Sequence, residues 1–291
     1  MSIMTTLAQA QAMLPESKLI NVSVEAAKEI AISRVGTDSR QIERNELFVA
    51  LVGERFDAHD FLSDVAKAGA GAALVSSQDK CPADLPAICV SNTRVGLGNL
   101  AKAWRANHPI PLALVTGSNG KTTVKEMIAS IFKAAVGEQH TLVTKGNLNN
   151  DIGLPLTLLK LRSTDRLAVV ELGMNHPGET AQLAAIAQAN IALINNAQRE
   201  HQEFMATVAA VAEEHSDAIR ALPSDGIAVF PADSEFANVW HQAAAGRKVI
   251  DFVLSSSQTK ASAAVTGTLL NNGLVQIKTE QGSIEVQLNT L

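Results

Sequence analysis

Leu112-Ala113-Leu114-Val115-Thr116-Gly117-Ser118-Asn119-Gly120-Lys121-Thr122-Thr123 is the stretch on which the reading of the fold turns. Its first four residues are a short apolar run of buried-strand type. After the polar turn, Val124, Met127, Ile128, Ile131 and Phe132 recur at i, i+3, i+4, i+7 and i+8, the stripe of a helix lying on a core. The local order is strand, glycine turn, helix. Gly117 and Gly120 let the backbone turn tightly and approach an anion, whose charge is met by free N–H groups and the positive helix end. Lys121 adds a mobile cation, and the Thr122 hydroxyl is placed to hold a magnesium ion. Gly117 to Thr123 are therefore expected to bind a nucleoside triphosphate, ATP. The common spelling of such a loop has glycine where this chain has Val115, so the loop is a variant.

At 291 residues the chain is long enough for two domains with cores of their own. A composition of 46% hydrophobic and 18% charged residues is that of a globular protein. The net charge of -5, without a clustered Lys/Arg stripe, excludes a nucleic-acid footprint. Residues 1 to 20 lack a signal-peptide pattern, and no apolar run approaches the roughly 20 residues that span a bilayer. Cys81 and Cys89 are too few for a disulfide framework and read as reduced thiols of a cytoplasmic protein.

From the amino terminus, about thirty weakly amphipathic residues lead to Thr37-Asp38-Ser39-Arg40 and the strand-like run Leu47 to Val52. Phe61, Leu62, Val65 and Ala66 mark a helical face, Ala72 to Val75 and Ile88 to Val90 read as strands, and Val95 to Trp104 as a helix. His108-Pro109-Ile110-Pro111 favours an extended connector, so the domains are drawn as 1–108, a small α/β binding module, and 109–291. Beyond the glycine turn, Thr141 to Thr144 reads as a strand. Lys145 to Asp151 is a polar loop with Asn147, Asn149 and Asn150, and Pro155 opens a helix with Leu158, Leu159 and Leu161. Leu167 to Glu171 is a buried strand ending in a carboxylate. In an open α/β sheet such an end faces the ligand crevice, where an acid can reach a metal held by phosphates. Ile191 to Ile194 is a further strand with a loop to His201. The next helix carries Val208, Val211, His215, Ile219 and Leu222 on one face. Ile227 to Phe230 and Val249 to Phe252 add two strands, and from Ala263 the rhythm alternates like an antiparallel appendage, with Asn272-Gly273 and Gln281-Gly282 at its turns. The fold class is α/β: a small amino-terminal domain, then a mostly parallel sheet domain of P-loop ATPase type.

Thr-Gly-Ser-Asn-Gly-Lys-Thr-Thr resembles the Mur ligase and folylpolyglutamate synthetase superfamily, which joins a carboxylate to an amine through an acyl phosphate. Thr37 to Arg40 followed by Asp57-Ala58-His59-Asp60-Phe61 is similar to the domain with which Mur ligases hold a UDP-sugar. Gly146 to Pro155 and Leu172 to Glu179 resemble the member that adds D-alanyl-D-alanine to UDP-N-acetylmuramoyl-tripeptide. The resemblance implies an ATP-dependent, magnesium-dependent amide ligase of peptidoglycan precursor synthesis. Its catalytic residues would be Lys121, Glu171 and His201, its metal residues Thr122, Glu171 and His201, and its substrate contacts Ser39, Arg40, Asn147, Asn149 and Asn150. Relatives carry a carbamylated lysine where His215 stands; this histidine either serves the metal as a neutral ligand or lies in the core, and the core reading is preferred. The family's adenine-clasping and amine-presenting regions would lie beyond Leu291, so this chain is expected to bind without completing ligation. A monomer is expected. Another Mur or folylpolyglutamate-type ligase, a P-loop ATPase and a nucleotide-binding module remain open as alternatives.

Overall fold

The computed structural model describes residues 3–199, 205–255, 263–270 and 273–287. The chain forms two compact units, Met1–Pro109 with Thr144–Asp165, and Ile110–Val143 with Arg166–Leu291. A single cut at 108/109 does not describe this arrangement, because Thr144–Asp165 clusters with the first unit.

In the first unit a five-stranded sheet runs Lys18–Ile20, Ala87–Cys89, Ala72–Val75, Glu46–Val49, Arg34–Gly36. Lys18–Ile20 is antiparallel to its neighbour and the other pairings are parallel. Every residue of Glu46–Val49 and Ala72–Val75 is buried, which is why these strands read as unbroken apolar runs rather than alternating ones. The run expected to continue to Val52 bends after Val49, and Val52 pairs instead with Asp57 in an isolated bridge. The helix Thr93–Ala106 begins at Asn92, whose Oδ1 accepts from the N–H groups of Arg94 at 2.9 Å and Val95 at 3.1 Å. The helix Gly153–Leu158 packs against it. Leu154, Leu158, Leu159 and Leu161 are all buried, Trp104 Nε1 donates to Leu161 O at 3.1 Å, and Arg94 pairs with Asp151 at 2.5 Å. At about 1.5–3 kcal/mol per buried leucine, that packing is what holds the segment in this unit.

The second unit is one sheet, nine-stranded among the described residues, in the order Thr141–Val143, Leu167–Glu171, Leu112–Thr116, Ile191–Ile194, Ile227–Pro231, Lys248–Ser255, Val265–Leu269, Val275–Thr279, Gly282–Val286. The pairings are parallel as far as Val265–Leu269, and the last two are antiparallel. The expected appendage is thus a continuation of the main sheet, joined to it by a parallel strand; Asn272 of its first turn lies outside the described residues.

Leu112–Thr116 lies between two strands that both come later in the chain, Leu167–Glu171 and Ile191–Ile194, so the crevice at its carboxyl end is a topological switch point. Along this strand Ala113 and Val115 face the helix Lys121–Val136, packing with its Val124, Ile128 and Phe132. Met127 and Ile131, expected on the same buried stripe, are 39% and 67% exposed. The fully covered positions of that helix are Lys125 and Ala129, so its inward face is centred on residues 125, 128, 129 and 132, and 127 and 131 turn away from it. The other face of the sheet is covered by the helix Val208–Arg220, which packs on Leu112–Thr116 and Ile191–Ile194 and is flanked by Glu179–Ala187 and Ala237–Ala244. Fully buried Trp240 fastens the last of these, donating Nε1–H to Ala212 O at 3.0 Å.

Candidate functional site

The glycine loop leaves the carboxyl end of Leu112–Thr116 and enters its helix through two residues of positive φ, Gly117 at 126° and Gly120 at 75°. The first intrahelical bond at this end is Val124 N–H to Gly120 O, 3.0 Å, so the N–H groups of Lys121, Thr122 and Thr123 have no helical acceptor. Three donors and the positive end of a sixteen-residue helix converge where an anion would sit. Lys121 folds back over the loop, its ammonium donating to Gly117 O at 2.6 Å and Ser118 O at 3.2 Å. Both acceptors are backbone carbonyls that carry no net charge, so an incoming phosphate can draw the ammonium away.

Glu171 ends its strand in register with Val115 and is 2% exposed. The Thr122 hydroxyl donates to Glu171 Oε2 at 2.9 Å, so these two candidates are brought together. A hydroxyl and a carboxylate are hard oxygen donors that suit magnesium, which usually keeps several waters and takes its remaining ligands from bound phosphates. Among the described residues no group of three or more His, Cys, Asp or Glu side chains could hold a metal alone, and His201 lies outside the described residues. His215 is buried behind the strand, its Nδ1 hydrogen-bonded to the Thr116 hydroxyl at 3.2 Å. Its neighbour Glu214 accepts from Gly178 N–H at 2.9 Å and Thr180 N–H at 2.9 Å, capping the helix Glu179–Ala187.

Sequence reasoning passes over Asn195, Asn196 and Gln198, which touch the glycine loop directly. Asn196 Oδ1 accepts from Asn119 N–H at 2.9 Å, its Nδ2 donates to Asn119 O at 3.0 Å, and Asn195 Nδ2 donates to the same carbonyl. Gln198 Oε1 accepts from Asn119 Nδ2 at 2.7 Å. The signal available was the pair of asparagines directly after a strand, and it has meaning only once that strand is known to neighbour Leu112–Thr116.

In the first unit, a cavity of 170 Å³ is lined by Arg34, Thr37, Asp38, Gln41, Leu148 and Lys160, among others. Asp38 and Leu148 bring the Thr37–Arg40 turn and the asparagine loop to one place. Ser39 is half-buried. Arg40 is turned onto its own loop, its side chain 83% exposed, with Nε to Asp38 Oδ1 and Nη2 to Asp38 Oδ2 both 2.8 Å. That fork holds the Asp38 carboxyl down at about 2. Asn150 Oδ1 accepts from Gly153 N–H at 2.8 Å at the start of the helix Gly153–Leu158, and Asn149 N–H donates to Asn147 O at 2.8 Å. Arg34 is committed to Glu43 and to buried Glu46, whose carboxyl burial pushes up. Lys160 has no ion-pair partner among the described residues. Its ammonium is pushed down by burial first, then by Lys145 and Arg34.

Two family models match the chain: the Mur ligase middle domain over residues 115–291, and the catalytic domain of the Mur ligase family over residues 31–110. The UDP-N-acetylmuramoyl-tripeptide--D-alanyl-D-alanine ligase of Escherichia coli is 38% identical over 270 residues, 93% of this chain and 58% of that protein. Its Bacillus subtilis counterpart is 37% identical over 208 residues, 71% of this chain and 45% of that protein. Among solved structures, MurF from Acinetobacter baumannii superposes with a TM-score of 0.85 at 32% identity, covering 98% of this chain and 60% of that one. MurF ligase from Thermotoga maritima, solved in complex with ADP, gives 0.74 at 25% identity, covering 87% of this chain and 57% of that one. The chain thus spans between about half and three fifths of the length of these relatives. With the middle-domain model matching more than half of its residues, the chain belongs to the Mur ligase family.

Proposed function

We propose that this chain carries the nucleotide-binding and UDP-sugar-binding parts of an ATP-dependent amide ligase that extends UDP-N-acetylmuramoyl-tripeptide with D-alanyl-D-alanine. The observation that carries the reading is the glycine loop at the switch point of the sheet, with Thr122 hydrogen-bonded to the buried Glu171 beside it. In this reaction the terminal carboxylate of the tripeptide takes the γ-phosphoryl group of ATP, and the amine of the dipeptide then displaces phosphate from the acyl phosphate. The N–H groups of Lys121 to Thr123 hold the phosphates, and Lys121 follows the charge that develops during transfer. Thr122 and Glu171, with His201, would hold magnesium, which supplies charge neutralisation when bound. Ser39, Arg40, Asn147, Asn149 and Asn150 are proposed to surround the sugar-nucleotide, and the support is the cavity that their two loops share. Lys160 adds a cation for its diphosphate. We further propose a cytoplasmic monomer. Both cysteines are free, the net charge is negative, and no helix among the described residues is long and apolar enough to cross a membrane.

Calorimetry with magnesium-ADP and with UDP-N-acetylmuramoyl-tripeptide tests the reading. Lys121→Ala is expected to weaken ADP binding about 10- to 100-fold, since a hydrogen bond to a charged group contributes roughly 1.5–3 kcal/mol. It should leave sugar-nucleotide affinity unchanged, and Lys160→Ala should do the reverse. ADP affinity unaffected by Lys121→Ala would overturn the nucleotide assignment.

A further inference from the structure

We propose that Asn195, Asn196 and Gln198 are positioning residues that clamp the glycine loop, withdrawing Ser118 and Asn119 from the anion so that the donors from Gly120 to Thr123 alone meet it. The inference rests on the reading above that this loop takes nucleotide phosphates.

The clamp begins as strand pairing that outruns the strands. Ile191–Ile194 pairs with Leu112–Thr116 as far as Thr116, and the ladder continues with Asn195 N–H to Thr116 O at 2.9 Å and Ser118 N–H to Asn196 O at 3.1 Å. Side chains then take over. The Ser118 hydroxyl accepts from Gln198 N–H at 2.9 Å and donates to Gln198 O at 3.2 Å. Asn119 is held by its N–H, its carbonyl and its side chain at once. The N–H groups of Ser118 and Asn119 therefore point at protein acceptors and are not offered to a ligand. A loop free to swing could present its amides in several arrangements and would lose that freedom on binding. One held from outside has lost it already, which is the advantage of preorganisation.

The two glycines fit the same account. A Cβ on Gly117 would lie 3.0 Å from the backbone nitrogens of Asn195 and Asn196, and one on Gly120 would lie 2.7 Å from Asn195 Nδ2. A side chain at Gly117 would press on the backbone of the 195–198 segment, and one at Gly120 would push the Asn195 amide off Asn119 O, so each would loosen the clamp.

The test combines magnesium-ADP calorimetry, thermal melting and amide hydrogen exchange on the 291-residue chain and its Asn196→Ala and Asn195→Ala/Asn196→Ala variants. In the nucleotide-free protein the Ser118 and Asn119 amides should be protected, and Asn196→Ala should make Asn119 exchange faster while the amides of Leu112–Thr116 stay as slow as before. ADP affinity should fall about tenfold in the single variant and further in the double variant, each bond of this kind being a modest net contributor. The melting temperature without nucleotide should change little, and the stabilisation given by ADP should shrink. ADP affinity within twofold of the parent overturns the clamp and leaves the nucleotide reading standing. Faster exchange throughout Leu112–Thr116 and its helix also overturns it, since the residues would then be merely structural. If the parent chain itself fails to bind magnesium-ADP while Lys121→Ala behaves identically, the nucleotide reading falls and the clamp with it.

Discussion

Glu213 and Glu214 stand next to each other on one helix and should differ sharply when removed. Glu213 is exposed and pairs with Arg220 at 2.5 Å, a surface ion pair of the kind that contributes about 0–1 kcal/mol. Glu214 is 8% exposed and accepts the N–H groups of Gly178 and Thr180 at the start of the helix Glu179–Ala187. Thr180 is fully buried, so its N–H has no direct access to water once the Glu214 carboxylate is gone. Glu214→Ala removes charge-assisted hydrogen bonds of about 1.5–3 kcal/mol and strands a buried donor at a further cost of about 1–3 kcal/mol; the two overlap, and about 3 kcal/mol is expected. Glu214→Gln keeps an acceptor oxygen for both amides and should cost about 1 kcal/mol. At about 2–4 °C per kcal/mol for a unit of this size, the melting midpoint should fall by roughly 6–12 °C for Glu214→Ala, roughly 2–4 °C for Glu214→Gln, and less than about 4 °C for Glu213→Ala. Scanning calorimetry reads the midpoints, and hydrogen exchange at Gly178 and Thr180 locates the damage. Equal midpoints for the two alanine variants would refute the reasoning, because the burial of one carboxylate would then count for nothing.

Trp104→Phe deletes the indole donor to Leu161 O and should cost about 1–2 kcal/mol, with faster exchange confined to residues 153–161; unchanged exchange there would show that the bond does not hold the segment. Arg40→Ala should return the Asp38 carboxyl from about 2 towards its ordinary value near 3.9, read by the carbon resonance of that carboxyl in an NMR titration. Since the folded value is the depressed one, the pair's contribution to stability is present above the unfolded value and fades as pH falls towards 2, a small effect for so exposed a pair. A titration midpoint that Arg40→Ala does not move would refute this.

What the sequence discloses well is what its neighbours in the chain decide. The strand, glycine turn and helix around Gly117 are local, and so is the buried run Ala72–Val75. The order of the strands is not local. Without it, nothing indicates that Asn195 and Asn196 reach Asn119, or that Glu214 reaches Gly178. The apolar residues Leu158, Leu159 and Leu161 announce burial without saying in which unit, so the membership of Thr144–Asp165 is invisible before folding. Met127 and Ile131 mislead for a related reason. A 3.6-residue period identifies a helix with an apolar stripe but leaves its rotation on the sheet undetermined by some 100°, and here buried Lys125 and Ala129 show which way it is turned.

The chain leaves the first unit at Pro109, returns at Thr144 and leaves again at Asp165. During synthesis, therefore, the first unit cannot be completed until a part of the second, Ile110–Val143, has been made. The covering helix Gly153–Leu158, with the flanking Asp151 and Leu161 that Arg94 and Trp104 hold, emerges only after Leu112–Thr116 and Lys121–Val136 have left the ribosome. At about 5–20 residues per second the wait is a matter of seconds, far longer than a helix needs to form. Through that interval the flank of Thr93–Ala106 that Gly153–Leu158 later covers stays open to water, so the first unit's last packing layer is added only after a stretch of the second has been made.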